Sequence, residues 1–567
     1  MGNPNVVVDA VSSLSPSAKD LAARAGQPPQ VVTVNFKGGR SGLLDMASPR
    51  SAVWADVLDS LAQADVSAYV EIDPATKVIT ELLIPLAVKV ESLTPTAAGD
   101  AIEVSLLISH ARHYLRRTNP DFQTLLTAVE SARDRGTEVL VTETADGSEI
   151  IDVRPAPKAR PPAEEAVAPP ISARPAPTPV TLEKAQQLFG SMSAMSCAPA
   201  TAPAPCIPFM YPDDGCWGRA HEMCRLIIAG GVQPAKVWIY GVLRALTRNN
   251  PACEVNWGWH VAPTLLVASG TASEPYVIDP SLFSCPVPTA KWASVQGDPA
   301  AAVEPSDAAA FYRSKGGAYV EYDDAAYSKT QQVLVTYRNK LKLRSASSVG
   351  PPPYAKCPEV LAGNPALVQS RFGTKGNFEL VVPLAGGGMA FYWRNNDVAS
   401  HPWNGPFPFG QASCCVDALS LIQSDFGSPG NLEVAARQGN KLLHLWRDSG
   451  PAFKWNGPFA FGTAGVSGNP ALIQSRFGTK GNFELVVPLA AGGMALYWRN
   501  NDAPGLPWNG PFAFGQATGK IDAVALIQSN FGSPGNLEVV ARQGNKLLHF
   551  WRDSGPAFKW NGPFPIP

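Results

Sequence analysis

Three residues stand where acyl-transfer chemistry needs a nucleophile, a base and an orienting carboxylate. Cys216 lies in Asp213-Asp214-Gly215-Cys216-Trp217-Gly218-Arg219-Ala220-His221, where a proline-rich stretch gives way to an apolar helical pattern. Asp214 suits the N-cap; Trp217, Ala220, Cys224, Ile227 and Ile228 share one face, and Gly230-Gly231 stops the helix. Cys216 then falls in the first turn, where unpaired N–H groups and the positive dipole end favour a thiolate, the nucleophilic form. His260 sits in Trp257-Gly258-Trp259-His260-Val261-Ala262, which reads as a strand beside Val237–Gly241. Asp279 ends a third strand, Tyr276-Val277-Ile278-Asp279-Pro280. In this order the histidine takes the thiol proton and later delivers it to the leaving group, while the aspartate fixes its tautomer. Trp257, Tyr240 and Trp217 are candidates to line the cleft. Each residue also has a plainer use: Cys216 as a buried or disulfide-bonded cysteine, His260 as a core histidine beside two tryptophans, Asp279 as a turn cap before Pro280. His221 follows Cys216 by five residues, is displaced around the same helix, and reads as structural.

The elements that position these residues belong to a chain of 567 residues, enough for about three to five domains. Lys+Arg is 46 against 47 Asp+Glu, a balance that gives no support to a nucleic-acid or polybasic membrane partner. With 16 % charged residues, 54 prolines and 49 glycines, the composition excludes a highly charged disordered chain and fits turn-rich modules on stiff joints. No run of about 18 apolar residues marks a membrane span. The N-terminus carries no basic stretch before an apolar core, so no Sec-type signal is visible, and export by another route or a cytoplasmic location is expected.

Six segments follow. Residues 1–30 are weakly patterned and expected to be flexible. Residues 31–154 read as an α+β domain. Val31–Phe36, Ser67–Asp73, Val78–Ile84, Leu86–Val90 and Ile102–Ile108 are predicted strands, and Ser51–Ala62 a helix. Asn119 and Pro120 open a second helix whose apolar stripe is Phe122, Leu125, Leu126, Val129 and Ala132. His110 and His113 lie three apart with no carboxylate or cysteine at metal-ligand spacing, and read as structural or surface histidines. Residues 155–180 hold nine prolines in 26 residues, an extended, protease-exposed joint. Residues 181–344 are a second α+β block, and 345–358 a linker.

Residues 359–567 repeat. Trp-Arg pairs start at Trp393, Trp446, Trp498 and Trp551, spaced 53, 52 and 53. Trp-Asn-Gly-Pro-Phe starts at Trp403, Trp455, Trp508 and Trp560, spaced 52, 53 and 52. The four units alternate A-B-A-B. Short apolar runs between Gly/Pro/Asn turns at a period near 50 point to an all-β, propeller-like array whose units bury one another's faces. The Trp-Arg tryptophans are read as packing between units. Trp403, Trp455, Trp508 and Trp560 lie beside turns and suit either packing or stacking on a sugar ring.

Five blocks in order, DDGCWGRAHEMC, KVWIYGVL, WGWHVAPTLLV, YVIDPSLFSCPV and FYRS, resemble the bacterial protein glutaminases over about Leu188–Leu343. The resemblance implies deamidation of glutamine side chains in proteins, a Cys216-His260-Asp279 triad, a fold related to transglutaminases and papain-like proteases, no metal or organic cofactor, and a pro-segment over the cleft. The chain departs from the family in Trp217-Gly218 and in its cysteine set, so the family's disulfides do not transfer. The repeats, with Gly-Asn-[LF]-Glu and Trp-Arg, resemble lectin-like β-propellers and imply glycan partners. The alternatives are a transglutaminase, a cysteine protease, or a lectin-like protein whose middle domain is inactive.

Overall fold

The computed structural model describes residues 4–16, 31–145, 149–157, 176–269, 272–313, 319–321, 328–411, 415–462 and 465–567. The chain is multidomain and mostly β, with several antiparallel sheets and few helices. It divides into two units: 1–178 with 190–265 and 292–358, and 179–189 with 266–291 and 359–567. The α+β block expected at 181–344 is therefore shared between them. Most of the 155–180 joint, and Ser314 of the FYRS block, lie outside the described residues.

The first unit begins with two antiparallel sheets. β1 (Val6–Ser15), β2 (Val31–Phe36), β3 (Ser41–Asp45), β4 (Ser67–Ile72) and β5 (Ile79–Leu83) order as β3-β2-β1-β4-β5. β1 corrects the expectation of a flexible 1–30: Val7, Val11 and Leu14 alternate into the core, making residues 6–15 the central strand. Helix Ser51–Gln63 covers this sheet with Trp54, Val57, Leu58 and Leu61. β6 (Leu86–Pro95), β7 (Ala101–Leu106), β8 (His113–Arg116), β9 (Glu138–Glu143) and β10 (Ile150–Pro155) order as β10-β9-β6-β7-β8. Helix Phe122–Arg135 packs Leu125, Val129 and Ala132 on it and ends at left-handed Gly136.

The same unit carries helix Cys216–Ala229, helix Ser328–Ala346, and strand Ala235–Leu246 paired antiparallel with residues 254–264 of strand Glu254–Ser269 on one side and Ala302–Asp307 on the other. Cys197–Cys206 and Cys253–Cys357 are disulfides. Helix Ser328–Ala346 also meets helix Ser51–Gln63: Asn339 Nδ2 donates to Ser60 Oγ at 3.0 Å, and Lys342 lies 2.6 Å from Asp56.

The second unit contains four four-stranded antiparallel meanders, starting at Ala366, Ala418, Ala471 and Ala523. The first strand of each packs against the first strand of the next. Apolar clusters fill the gaps, with Val381, Phe391, Val434 and Leu445 in the first. The Gly-Asn-[LF]-Glu motif has a structural reason. In each meander a serine hydroxyl holds the motif's glutamate: Ser370 on Glu379, Ser424 on Glu433, Ser475 on Glu484 and Ser529 on Glu538. The A-B alternation also has one. Arg371 and Arg476 of the A units reach backbone carbonyls of the following B units, at Ser424 and Pro429 and at Ser529 and Pro534. Cys285–Cys415 ties residues 266–291 to the repeats within this unit.

Candidate active site

Helix Cys216–Ala229 starts at Cys216, which is 1 % exposed. Its N-cap is Gly215, not Asp214, and no side chain caps it. Gly215 has φ +81°, and any Cβ there would collide with the Tyr337 ring, so glycine alone turns the chain into the nucleophile.

Asp213 and Asp214 anchor this turn from behind. Asp213 pairs with both Arg344 Nη atoms at 2.7 and 2.8 Å and accepts Asn250 Nδ2 at 2.7 Å. A buried fork–carboxylate pair of this kind costs about 3–5 kcal/mol when one partner is removed. Asp214 accepts Ser109 Oγ at 2.7 Å, the His110 N–H at 3.1 Å and Tyr337 OH at 2.5 Å. Burial opposes its charge, but the His110 ring first, then His113 and the Tyr337 hydroxyl, hold its carboxyl well below the usual range. Arg219 donates to the carbonyls of Asp214 and Tyr211.

His260 lies opposite Ile239 on the adjacent strand and is 1 % exposed. Its ring stacks on Trp257 at 4.5 Å and on Trp292 at 5.5 Å. Trp257 donates its Nε1–H to the Asp213 carbonyl at 3.2 Å and is fully buried, so it supports the site. Trp217 is also buried, and Tyr240 is half-buried with its ring stacked on Trp238. Asp279 belongs to the second unit, where its Oδ1 accepts the Ser281 N–H at 3.1 Å. Cys216 and Cys224 remain outside the disulfides found among the described cysteines. Burial pushes the Cys224 thiol up to about 11.

His221 lies 3.0 Å through Nδ1 from Lys236 Nζ and edge-on to Phe311. Burial and then the Lys236 charge push it down to about 3, and burial pushes Lys236 down to about 8.

His110 lies beside Cys216 and His260, which nothing in its local sequence indicates. It is not a surface group: it is fully buried against Trp257, Trp259 and His260, with ring centroids 5.1, 5.6 and 5.7 Å away. His110, Cys216 and His260 bring donor atoms within 4.8 Å of one another. Residues 110–112 make an isolated antiparallel bridge to 256–258, with Gly258 N–H to the His110 carbonyl at 2.9 Å, Arg112 N–H to the Asn256 carbonyl at 3.3 Å and Ala111 opposite Trp257. Burial pushes the His110 imidazole down to about 4 although Asp214 opposes the shift. His113 supports the loop from the β8 side. Burial works against its charge, but Glu143 at 2.5 Å prevails and raises it. The only trace of this in the sequence is the pair of histidines three apart; His113 meets Glu143 30 residues on, and His110 meets Asp214 104 residues on.

In the repeats, Trp455, Trp508 and Trp560 stack on Phe409, Phe461 and Phe514 of the preceding unit, at 3.8, 4.0 and 3.7 Å. Trp403 has no unit before it and is 48 % exposed. The Trp-Arg tryptophans are half-buried, and Trp393 packs against the first of the clusters between units. Trp446 lines a cavity with Glu433, His444, Phe461, Arg499 and Trp508. Equivalent Glu–Arg pairs recur between neighbouring units, Glu379 with Arg447 at 4.0 Å and Glu484 with Arg552 at 3.9 Å. Burial pushes Glu484 up to about 7, although Arg552 and Ser475 pull it back. A carboxyl raised on folding binds its proton more tightly in the folded state. Stability of the repeats is therefore expected to fall as pH rises from about 4.5 through about 7. Glu484→Gln should flatten that slope in a thermal melt series; an unchanged slope would count against the assignment.

Residues 185–296 match the family model described as Glutaminase. No curated protein matches the chain. Among solved structures, a pro-protein-glutaminase is similar at 24 % identity and a TM-score of 0.34, covering 43 % of this chain and 90 % of that one. Protein-glutaminase from Chryseobacterium proteolyticum is similar at 32 % identity and 0.23, covering 25 % and 80 %. The BP39L lectin from Burkholderia pseudomallei is similar at 23 % identity and 0.29, covering 38 % and 59 %.

Proposed function

We propose that the block around Cys216 is a cysteine-dependent protein glutaminase, restrained by the N-terminal domain and carried with a glycan-binding repeat module. The observation that supports it most is the placing of Cys216 Sγ at a buried helix start within 4.8 Å of a His260 ring nitrogen, inside the segment matching the Glutaminase family. A helix-start cysteine packed on an antiparallel sheet that carries the histidine also suits a papain- or transglutaminase-like core.

In this reading the Cys216 thiolate attacks the side-chain amide carbon of glutamine, and the C–S bond forms as the carbonyl becomes an oxyanion. The Cys216 backbone N–H, among those at the helix start, faces that charge. His260, protonated by the thiol, gives its proton to the amide nitrogen; the C–N bond breaks and ammonia leaves. Water, losing a proton to His260, adds to the thioester and releases glutamate and the thiol. Asp279 is assigned the orienting role toward His260. The test is ammonia release from a glutamine-containing protein by chain cut within 155–180, with and without an added primary amine. Ammonia without need of amine supports hydrolysis; amine incorporation in place of glutamate formation would make the enzyme a transglutaminase, and cleavage of the peptide backbone a protease.

The four meanders are assigned as propeller blades, supported by first strands that pack in succession. Their glycan reading rests on the recurring Glu, Arg and Trp between units. Buried Glu379 Oε2, Arg447 Nε, Glu484 Oε2 and Arg552 Nε have no hydrogen-bond partner among the described residues, and sugar hydroxyls would satisfy both acceptor and donor. Arg499→Ala is expected to lower the number of sugar sites by one in calorimetry with the melting temperature checked alongside. Unchanged stoichiometry would overturn the site at Glu433 and Arg499. The three disulfides fit a compartment where thiols are oxidised.

A further inference from the structure

His110, Cys216 and His260 come from three distant places in the chain, and all three are buried. We propose that, while the N-terminal domain is docked, these side chains form a zinc-type metal site that latches the domain onto the nucleophile. The inference rests on reading Cys216 and His260 as the reacting pair and residues 31–154 as their restraint.

One thiolate and two neutral imidazoles are a donor set that favours zinc over hard cations such as magnesium or calcium. Zn–S near 2.3 Å and Zn–N near 2.0–2.1 Å place tetrahedral donors about 3.3–3.6 Å apart. Donors already within 4.8 Å need a contraction of roughly 1 Å, within reach of side-chain rotation. The His110 ring is preset for this. Nδ1 lies 2.9 Å from Asp214 Oδ1, and Nε2, wholly buried, has no hydrogen-bond partner among the described residues. A carboxylate behind one ring nitrogen is the arrangement that orients a metal-binding histidine through the other. Asp214 is itself fixed by Ser109 and Tyr337, so both domains build the support as well as the site.

The metal does two things. Zinc bound to Cys216 Sγ ties up the lone pair that would attack a substrate. It also bonds the N-terminal domain to the cleft directly, since His110 is the one ligand that leaves when the domain leaves. Metal must then bind the docked chain more tightly than the undocked one, and by linkage it strengthens docking by the same factor. None of the three spacings resembles a sequence motif for zinc, because every ligand comes from a different element.

The experiment titrates the full chain, freed of metal, with Zn²⁺ and with Co²⁺ as a spectroscopic stand-in. One equivalent is expected to bind, with a thiolate-to-cobalt charge-transfer band that is lost in Cys216→Ala. His110→Ala is expected to weaken Zn²⁺ at least tenfold, with His110→Asn as a second variant that fills more of the site. After the 155–180 joint is cut, a chelator should speed release of the N-terminal fragment in gel filtration and added Zn²⁺ should slow it. Cobalt binding without the band, or equal Zn²⁺ affinity in both His110 variants and the parent chain, would overturn the site. Ammonia release is not the readout, so failure of the deamidase reading and failure of the latch give different results.

Discussion

Alanine in place of Cys216 is expected to lower ammonia release from a glutamine-containing protein by roughly 10⁴–10⁶-fold, since a nucleophile and its base act as a unit. The measurement uses chain cut within 155–180, with chelator present, so that neither docking nor metal limits the rate. The residue's position sets the size of the effect. Sγ lies at the start of a buried helix with Gly215 as its N-cap, and no second thiol shares that place. Cys224, two helical turns on, is a thiol that burial pushes up to about 11, so Cys224→Ser should keep most of the turnover and serves as the control. His260→Ala should cost about as much as Cys216→Ala. Asp279→Asn should cost less, because an amide can still orient an imidazole. Retention of a tenth of the parent turnover in Cys216→Ala would remove Cys216 from the nucleophile role, whatever happens to glycan binding.

How much of this was legible in the sequence depends on how local each signal is. The Cys216 helix, with its apolar face and Gly230-Gly231 stop, is written within 16 residues and forms over Cys216–Ala229. The His260 strand and the four repeats carry period-2 patterns, and these too were readable, down to the 52–53 residue spacing. Asp214 has the residue type of an N-cap but not its role, since Gly215 takes that position. A capping-type residue before a helix normally turns its carboxylate onto the helix N–H groups, but here Ser109, His110 and Tyr337 take it instead. Sequence proximity cannot show that competition, because the partners lie 104–123 residues away. The same reason hid His110. Its spacing to His113 is uninformative, and its role comes from a strand-like alignment of 110–112 with 256–258 that has no pattern in either segment. β1 is not legible locally because Val6–Ser15 mixes serines into the apolar pattern, and its pairing with β2 and β4 supplies what the pattern lacks.

The intact chain is expected to deamidate a small glutamine peptide at least tenfold more slowly than chain cut within 155–180 and diluted. A joint of about 26 residues presents the N-terminal domain to the cleft at an effective concentration on the order of 1 mM. If the separate domain binds with a dissociation constant of about 1 μM, the tethered cleft is occupied roughly 10³ times more often than it is open. Cutting the joint and diluting the protein to about 0.1 μM leaves most clefts empty, although not one contact has changed. The contacts themselves are of two kinds. Lys342 with Asp56 and Asn339 with Ser60 hold the domain away from the chemistry, whereas His110 brings a ring nitrogen within 4.8 Å of the Cys216 and His260 donor atoms and Ala111 bridges to Trp257. His110→Ala in the intact chain should therefore raise the rate without cutting, by removing the group that sits against the reacting pair. Asp56→Ala should raise it less, through weaker docking alone. Three forms are compared on the same peptide with chelator present: the intact chain, the cut chain, and a chain starting at residue 176. Equal rates in all three would end the restraint reading, and a rise in the last two that excess N-terminal fragment reverses would establish that the domain itself is the inhibitor.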